Sequence, residues 1–131
     1  VNFHGVAAHG AAAPHLGRSA LDGVMLMDIG VNYLREHIIQ EARIHSVVTS
    51  GGQAPNVVPA YAQVWYFVRA PSRAQVDEIY ARVLDIAKGA ALMSGTNLRH
   101  RLCHRLLRLS AQSCPLRPDV RQDVGDRRDA L

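Results

Sequence analysis

The order in which hydrophobic periods follow one another constrains this chain more than any other feature. Residues 1–6 alternate apolar and polar side chains, as a half-buried strand does. A helical stripe follows Ser19, β-rich segments occupy residues 44–49 and 60–70, and a second helical stripe follows Ser72. Strand, helix, strand, strand, helix is five-sixths of the split βαβ arrangement. We therefore predict an α+β fold, a split βαβ (ferredoxin-like) antiparallel sheet with two helices on one face.

The helix starts and the faces of the elements can also be predicted. Ser19 with Asp22, and Ser72 with Gln75, are typical of capped helix N-termini. Three- and four-residue steps predict the buried stripe of the first helix, which is Ala20, Val24, Met27, Val31, Leu34 and Ile38. In the second helix the stripe is Val76, Ile79, Tyr80, Val83, Ile86, Ala87 and Ala90. In the strand at residues 60–70, one face carries Ala62, Val64, Tyr66 and Val68 and the other Gln63, Trp65, Phe67 and Arg69.

The C-terminal part of the chain has a different composition. Residues 97–131 hold eight Arg and four Asp, which is the whole net charge of +4, whereas the first 96 residues are neutral. A fourth strand is due near residue 97, but residues 98–109 are basic, lack aromatic residues and do not alternate. We predict that this strand is missing or replaced and that residues 97–131 are a poorly ordered basic tail. Such a tail is typical of a shifted reading frame in a GC-rich gene, so we hypothesise a truncated, frameshifted or fragmentary gene product.

The length and the cysteines bear on domain count and compartment. The chain has 131 residues and begins at Val1, so we expect one small domain that belongs to a longer protein. No segment approaches the roughly 20 apolar residues of a membrane span, and no basic-then-apolar signal peptide opens the chain. Cys103 and Cys114 then indicate reduced thiols of a cytoplasmic protein.

No self-contained catalytic or metal centre is predicted. His4, His9 and His15 are five and six residues apart, which fits neither a helical ligand pair nor a zinc finger. The sequence has no Gly-x-Ser-x-Gly nucleophile motif, and the glycine pair at residues 51–52 is not followed by the lysine of a phosphate loop. We predict no metal site within this chain.

Nucleic-acid binding is the alternative function. Arg99, Arg101, Arg105 and Arg108 lie close together in sequence and would attract phosphate. The strand aromatics that could stack bases lie far from this cluster in sequence, and their strand lacks the glycines of base-stacking motifs. A small basic nucleic-acid-binding module therefore stays open as the second function class.

Several ordered motifs carry a family resemblance. They are residues 3–9 (FHGVAAH) followed by Pro14 and residues 17–20 (GRSA), then residues 51–59 (GGQAPNVVP), then Val68-Arg69. Over residues 1–96 the chain resembles the dimerisation (lid) domain of the zinc-dependent aminoacylase and carboxypeptidase G-like amidohydrolase and metallopeptidase family. Within it, the motifs are most similar to those of the amidohydrolases that resemble p-aminobenzoyl-glutamate hydrolase.

The resemblance implies the setting in which this domain acts. It implies a domain inserted into a larger catalytic domain that holds two zinc ions, or other divalent metals, and hydrolyses amides of N-acyl or aminobenzoyl amino acids. The metal ligands and general base would belong to that catalytic domain, so this chain alone is predicted to be inactive. The resemblance also implies a homodimer formed through the second strand and the helix beside it, because the family dimerises through this domain.

The resemblance assigns roles to three residues. His9 matches the lid histidine that reaches the partner's active site and stabilises the transition state. Asn56 and Arg69 match lid residues that hold the substrate, and a guanidinium suits a carboxylate. Taken singly, His9 is equally typical of a surface histidine, Asn56 of a turn residue and Arg69 of a solvated strand-end charge.

Overall fold

The predicted order of elements is present in the structure, a computed structural model that describes residues 1–103. The elements are β1 (Asn2–His4), α1 (Ala20–Arg35), β2 (Arg43–Ser50), β3 (Tyr61–Arg69), α2 (Arg73–Ser94) and β4 (Asn97–Arg99), with a short 3-10 helix at Pro14–Leu16. The four strands form one sheet in the order β2-β3-β1-β4, and every neighbouring pair is antiparallel. The predicted α+β fold is confirmed, and β2 lies at one edge of the sheet.

Side-chain caps begin both helices where the sequence predicts them. The Ser19 hydroxyl accepts the backbone N–H of Asp22 at 3.2 Å. Ser72 and Gln75 form a reciprocal capping box, which satisfies two backbone donors at the start of α2. At the other end of α2, Gly95 adopts the left-handed conformation with φ 64°, which a residue with a side chain rarely does. This turn directs the chain back towards β1.

The core lies between the helices and one face of the sheet. The alternation in β3 places Ala62 and Val64 in this core, and the stripes of both helices pack against them. Phe3 of β1 is fully buried, and a Cβ on Gly23 of α1 would lie 2.5 Å from its ring. The small residue therefore allows α1 to pack closely on β1. Ile38, the last member of the predicted stripe, follows the end of α1 but still packs against the core.

The prediction that the fourth strand is missing or replaced is wrong. Residues Asn97–Arg99 form β4, which pairs with β1 in the register Phe3 to Leu98. Leu98 is half-buried against the core and is the one inward-facing residue of this three-residue strand. A strand this short has no alternation to detect, and its pairing with β1 follows from the turn at Gly95. Residues 104–131, the remainder of the predicted tail, lie outside the described residues.

Candidate functional site

Two loops meet at the end of the sheet where β3 begins, and they carry two of the predicted site residues. The segment after β1 pairs with the segment before β3 through an isolated bridge between His9 and Val57. The backbone N–H of Gly10 donates to the carbonyl of Asn56 at 2.8 Å, and the N–H of Val58 donates to the carbonyl of Ala8 at 2.9 Å. These bonds hold His9 and Asn56 on neighbouring backbone segments.

The imidazole of His9 is oriented by its own loop. Its Nδ1 accepts the backbone N–H groups of Ala11 and Ala12 at 3.2 and 3.1 Å. A nitrogen that accepts two hydrogen bonds carries no proton, so the neutral ring carries its proton on Nε2. The side chain is exposed. His9 can therefore present an N–H donor to a carbonyl oxygen that approaches from outside the domain.

Asn56 has a fixed backbone and a free side chain. Its carbonyl is bound by Gly10, and the turn before it is closed by a bond from the Val57 N–H to the Ala54 carbonyl at 3.3 Å. Within residues 1–103 its side-chain amide makes no hydrogen bond, and the residue is exposed. The amide therefore offers one acceptor and two donors to a ligand at the same end of the domain as His9.

Arg69 lies at the opposite end of the sheet. It ends β3, a strand of nine residues. At about 3.4 Å per residue that strand is about 27 Å long. The guanidinium lies 5.6 Å from the centre of the Phe67 ring, which in turn lies 5.0 Å from the ring of Trp65. Within one chain the structure thus brings together His9 and Asn56 but keeps Arg69 a whole strand length away.

A second arginine, which the sequence analysis did not single out, faces Arg69. Arg43 begins β2 and is the direct cross-strand partner of Arg69, so both side chains leave the sheet on the face opposite the helices. The pairing cannot be predicted from sequence, because a ten-residue connection with a bulge near Thr49 sets the register between the two strands. The only available signal is that both residues stand at strand ends.

A polar cluster that the sequence analysis also missed ties α1 to the sheet. The Tyr66 hydroxyl donates to the Asp28 carboxylate at 3.1 Å, and the Ser46 hydroxyl donates to the same oxygen at 3.2 Å. Burial, and then the negative charge of Asp28, raise the pKa of Tyr66 well above its ordinary range. Since Ser46 belongs to β2, the cluster fixes the edge strand against α1.

The outer side of β2 and the neighbouring part of α1 expose apolar side chains. Val47 and Val48 of β2 are 53% and 48% exposed, and Met25 and Ile29 of α1 are 54% and 51% exposed. A Cβ built on Gly51 would contact both Leu21 of α1 and Val48, which shows that the two elements adjoin there. We call β2 together with Met25 and Ile29 the edge surface.

Metal and membrane sites were considered on the same residues. Among residues 1–103, no three histidine, cysteine or acidic side chains are close enough to hold a metal ion. None of the helices that the structure describes is both long and apolar enough to cross a membrane. Two arginines of the alternative nucleic-acid cluster, Arg105 and Arg108, lie outside the described part of the chain.

Comparison with known proteins identifies the class of domain. Residues 1–92 match the family model described as the peptidase dimerisation domain. The chain therefore belongs to the peptidase dimerisation domain family, and the resemblance deduced from the motifs is confirmed.

Individual relatives narrow the resemblance further. The chain is 57% identical over 100 residues to one of the two kinds of p-aminobenzoyl-glutamate hydrolase polypeptide in Escherichia coli (strain K12), a match that covers 76% of this chain and 21% of that protein. It is 34% identical over 95 residues to the Xaa-Arg dipeptidase of Mus musculus, covering 72% of this chain and 22% of the relative.

A solved structure, that of the aminobenzoyl-glutamate utilization protein from Klebsiella pneumoniae, superposes with a TM-score of 0.65. Its sequence identity is 27%, and the match covers 73% of this chain and 24% of that one. The chain thus spans about a fifth of the length of the curated relatives that it matches.

Proposed function

We propose that this chain supplies the dimerisation surface and part of the substrate site of a metal-dependent amidohydrolase. The bond cleaved is the amide of an N-acyl or aminobenzoyl amino acid, as the name of the Escherichia coli relative suggests. The observation that carries the proposal is the separation of the predicted site residues. His9 and Asn56 lie at one end of β3 and Arg69 at the other, about 27 Å away, which is far longer than such a substrate. Two chains are therefore needed to build one site.

The edge surface provides the contact between the chains. β2 has eight residues, exposed valines and, within residues 1–103, only one neighbouring strand; an unpaired edge of this kind is ready to accept another strand. β4, at the other edge, has three residues and offers little to pair with. A two-fold dimer uses the same surface on both chains. We expect the β2 strands of two chains to pair antiparallel, with Met25 and Ile29 of each α1 packed beside them.

Antiparallel pairing of β2 completes the site. The start of β2 in one chain then lies near the end of β2 in the other, so Arg43 approaches the partner's Ser50. Arg69 is the neighbour of Arg43, and the loop that follows the partner's Ser50 is the one that carries the partner's Asn56. The end of the sheet that bears Arg69 in one chain thus meets the loops that bear His9 and Asn56 of the other.

Each side chain has a definite task in this arrangement. The Nε2–H of His9 donates to the oxygen of the scissile carbonyl and stabilises the charge that develops on it. The Asn56 amide orients the substrate by hydrogen bonds from the same loop pair. The Arg69 guanidinium, held against the Phe67 ring, binds the carboxylate of the amino-acid part as a planar fork.

The zinc ions that the family implies do not fit this chain. The residues that the structure describes include no ligand set, so we assign the metal to the catalytic domain of the parent enzyme and derive no step through it here. The cytoplasm remains our expectation for the compartment, on the evidence of the two cysteines alone.

A hybrid enzyme tests these roles. In it the matched residues of this chain replace the corresponding domain of the Escherichia coli relative. His9→Ala should lower kcat by about 10²–10³ with an unchanged metal content, because it removes one oxyanion donor. Arg69→Gln should mainly raise KM. A His9→Ala hybrid that retains full kcat would contradict the role of His9, and Arg73→Gln at the exposed start of α2 serves as the matched charge control.

A further inference from the structure

The two arginines at the start of β2 and the end of β3 form an unusual pair. Arg43 and Arg69 occupy directly opposite positions of the antiparallel ladder, where Cβ atoms are about 4.5–5.5 Å apart. Like charges in this arrangement destabilise a sheet. The placement therefore costs stability unless something of opposite charge lies between the two guanidinium groups.

No such group comes from the described part of the chain itself. The ion pairs within residues 1–103 are Arg73 with Asp77 and Lys88 with Asp85, and neither involves the two arginines. Both Arg43 and Arg69 are exposed on the sheet face that the helices leave open. Two cations are thus presented side by side, without a carboxylate from residues 1–103.

Both guanidinium groups are also held in place. Arg43 donates from one terminal nitrogen to the carbonyls of Gln40 and Ala42, which leaves its other nitrogens available. Arg69 lies over the Phe67 ring at 5.6 Å, a cation–π contact that directs its fork away from the strand. Because less side-chain entropy is lost when the donors are already oriented, this pair is suited to bind an anion.

We infer that Arg43 is a second specificity-determining residue, and that the Arg43–Arg69 pair selects substrates whose amino-acid part carries two carboxylates. The inference rests on the proposed function, in which Arg69 binds the first carboxylate. The α-carboxylate and the side-chain carboxylate of an acidic amino acid are joined by one short side chain, so they can reach two guanidinium groups on adjacent strands. Each carboxylate then receives a charge-assisted hydrogen bond.

The test compares two ligands that differ in one charge. N-acetylglutamate has two carboxylates, and N-acetylglutamine has the same shape with one. Their dissociation constants for the full chain are measured by NMR titration, with the arginine Nε–H signals as the readout. We expect N-acetylglutamate to bind about fivefold to tenfold more tightly, the lower figure reflecting the exposure of the site.

Variants assign that difference to individual residues. Arg43→Gln should remove the preference for N-acetylglutamate and leave the affinity for N-acetylglutamine unchanged, whereas Arg69→Gln should weaken both ligands. Arg99→Gln, which removes the same charge from β4 at the far edge of the sheet, is the control and should preserve the preference. The dispersion of the amide spectrum verifies that each variant is folded.

Three results would overturn the inference: equal affinities for the two ligands, equal losses in Arg43→Gln and Arg99→Gln, or no saturable binding of N-acetylglutamate. If the affinities are equal while Arg69→Gln still weakens both, only the role of Arg43 fails and the proposed role of Arg69 stands. The proposed function itself is tested separately by the kinetics of the hybrid enzyme.

Discussion

Removing the Tyr66 hydroxyl tests the cluster that holds the edge strand. Tyr66→Phe deletes the 3.1 Å bond to Asp28 and leaves the carboxylate with the Ser46 hydroxyl. A hydrogen bond to a charged group contributes about 1.5–3 kcal/mol, and for a half-buried tyrosine whose acceptor keeps a partner we expect about 1 kcal/mol. With a urea slope of roughly 1–2 kcal/mol/M, the unfolding midpoint of the full chain should fall by about 0.5–1 M at neutral pH.

The same pair of proteins should differ in pH dependence. The folded-state pKa of Tyr66 is raised above the usual 10.0, so its contribution to stability is complete below pH 10 and is lost as pH rises further. The unfolded chain then releases a proton that the folded chain retains. The loss would be about 1.36 kcal/mol per pH unit for a fully buried group, which we reduce to about 1 kcal/mol because solvent screens this one. The stability advantage over Tyr66→Phe should therefore vanish near pH 11.

A matched control isolates the effect. Tyr33 is 65% exposed on α1, so Tyr33→Phe should change neither the midpoint nor its pH dependence. Equal destabilisation by Tyr33→Phe and Tyr66→Phe, or an advantage of wild type that stays constant up to pH 11, would refute the reasoning.

Two further predictions concern the chain as a whole. It should associate in a concentration-dependent way, and Val47→Lys on the exposed edge strand should weaken the association; sedimentation that shows a monomer at high micromolar concentration would count against this. The chain alone should neither hydrolyse amides nor bind stoichiometric zinc, because catalysis needs a metal-activated water and a carboxylate base that we assign to another domain; turnover or a bound equivalent of zinc would disprove it.

The local parts of the fold could be predicted because their signals are local. The capping box of Ser72 and Gln75 lies within four residues, and the inward face of β3 follows from strict alternation, so both are confirmed in the structure. β4 was missed because its pairing is decided by the left-handed turn at Gly95 and by Phe3, more than ninety residues before Leu98 in sequence.

The site could be predicted only residue by residue. The motifs identified His9, Asn56 and Arg69, but their relative positions depend on pairings between distant segments. The contact between the loops of His9 and Asn56, and the opposition of Arg43 and Arg69, are both set by strand registers that no periodicity encodes. The Asp28 cluster was missed for a related reason, since its members come from α1, β2 and β3.

The central claim is that each site takes His9 from one chain and Arg69 from the other. The most direct test is a heterodimer of two hybrid enzymes, one with His9→Ala and one with Arg69→Ala, purified through two different affinity tags. If the claim holds, one site of the heterodimer carries both changes and the other carries neither, so about half of the unaltered activity should return. If both residues served the same chain's site, every site would carry one change. Activity no higher than that of the two homodimers would then contradict the account.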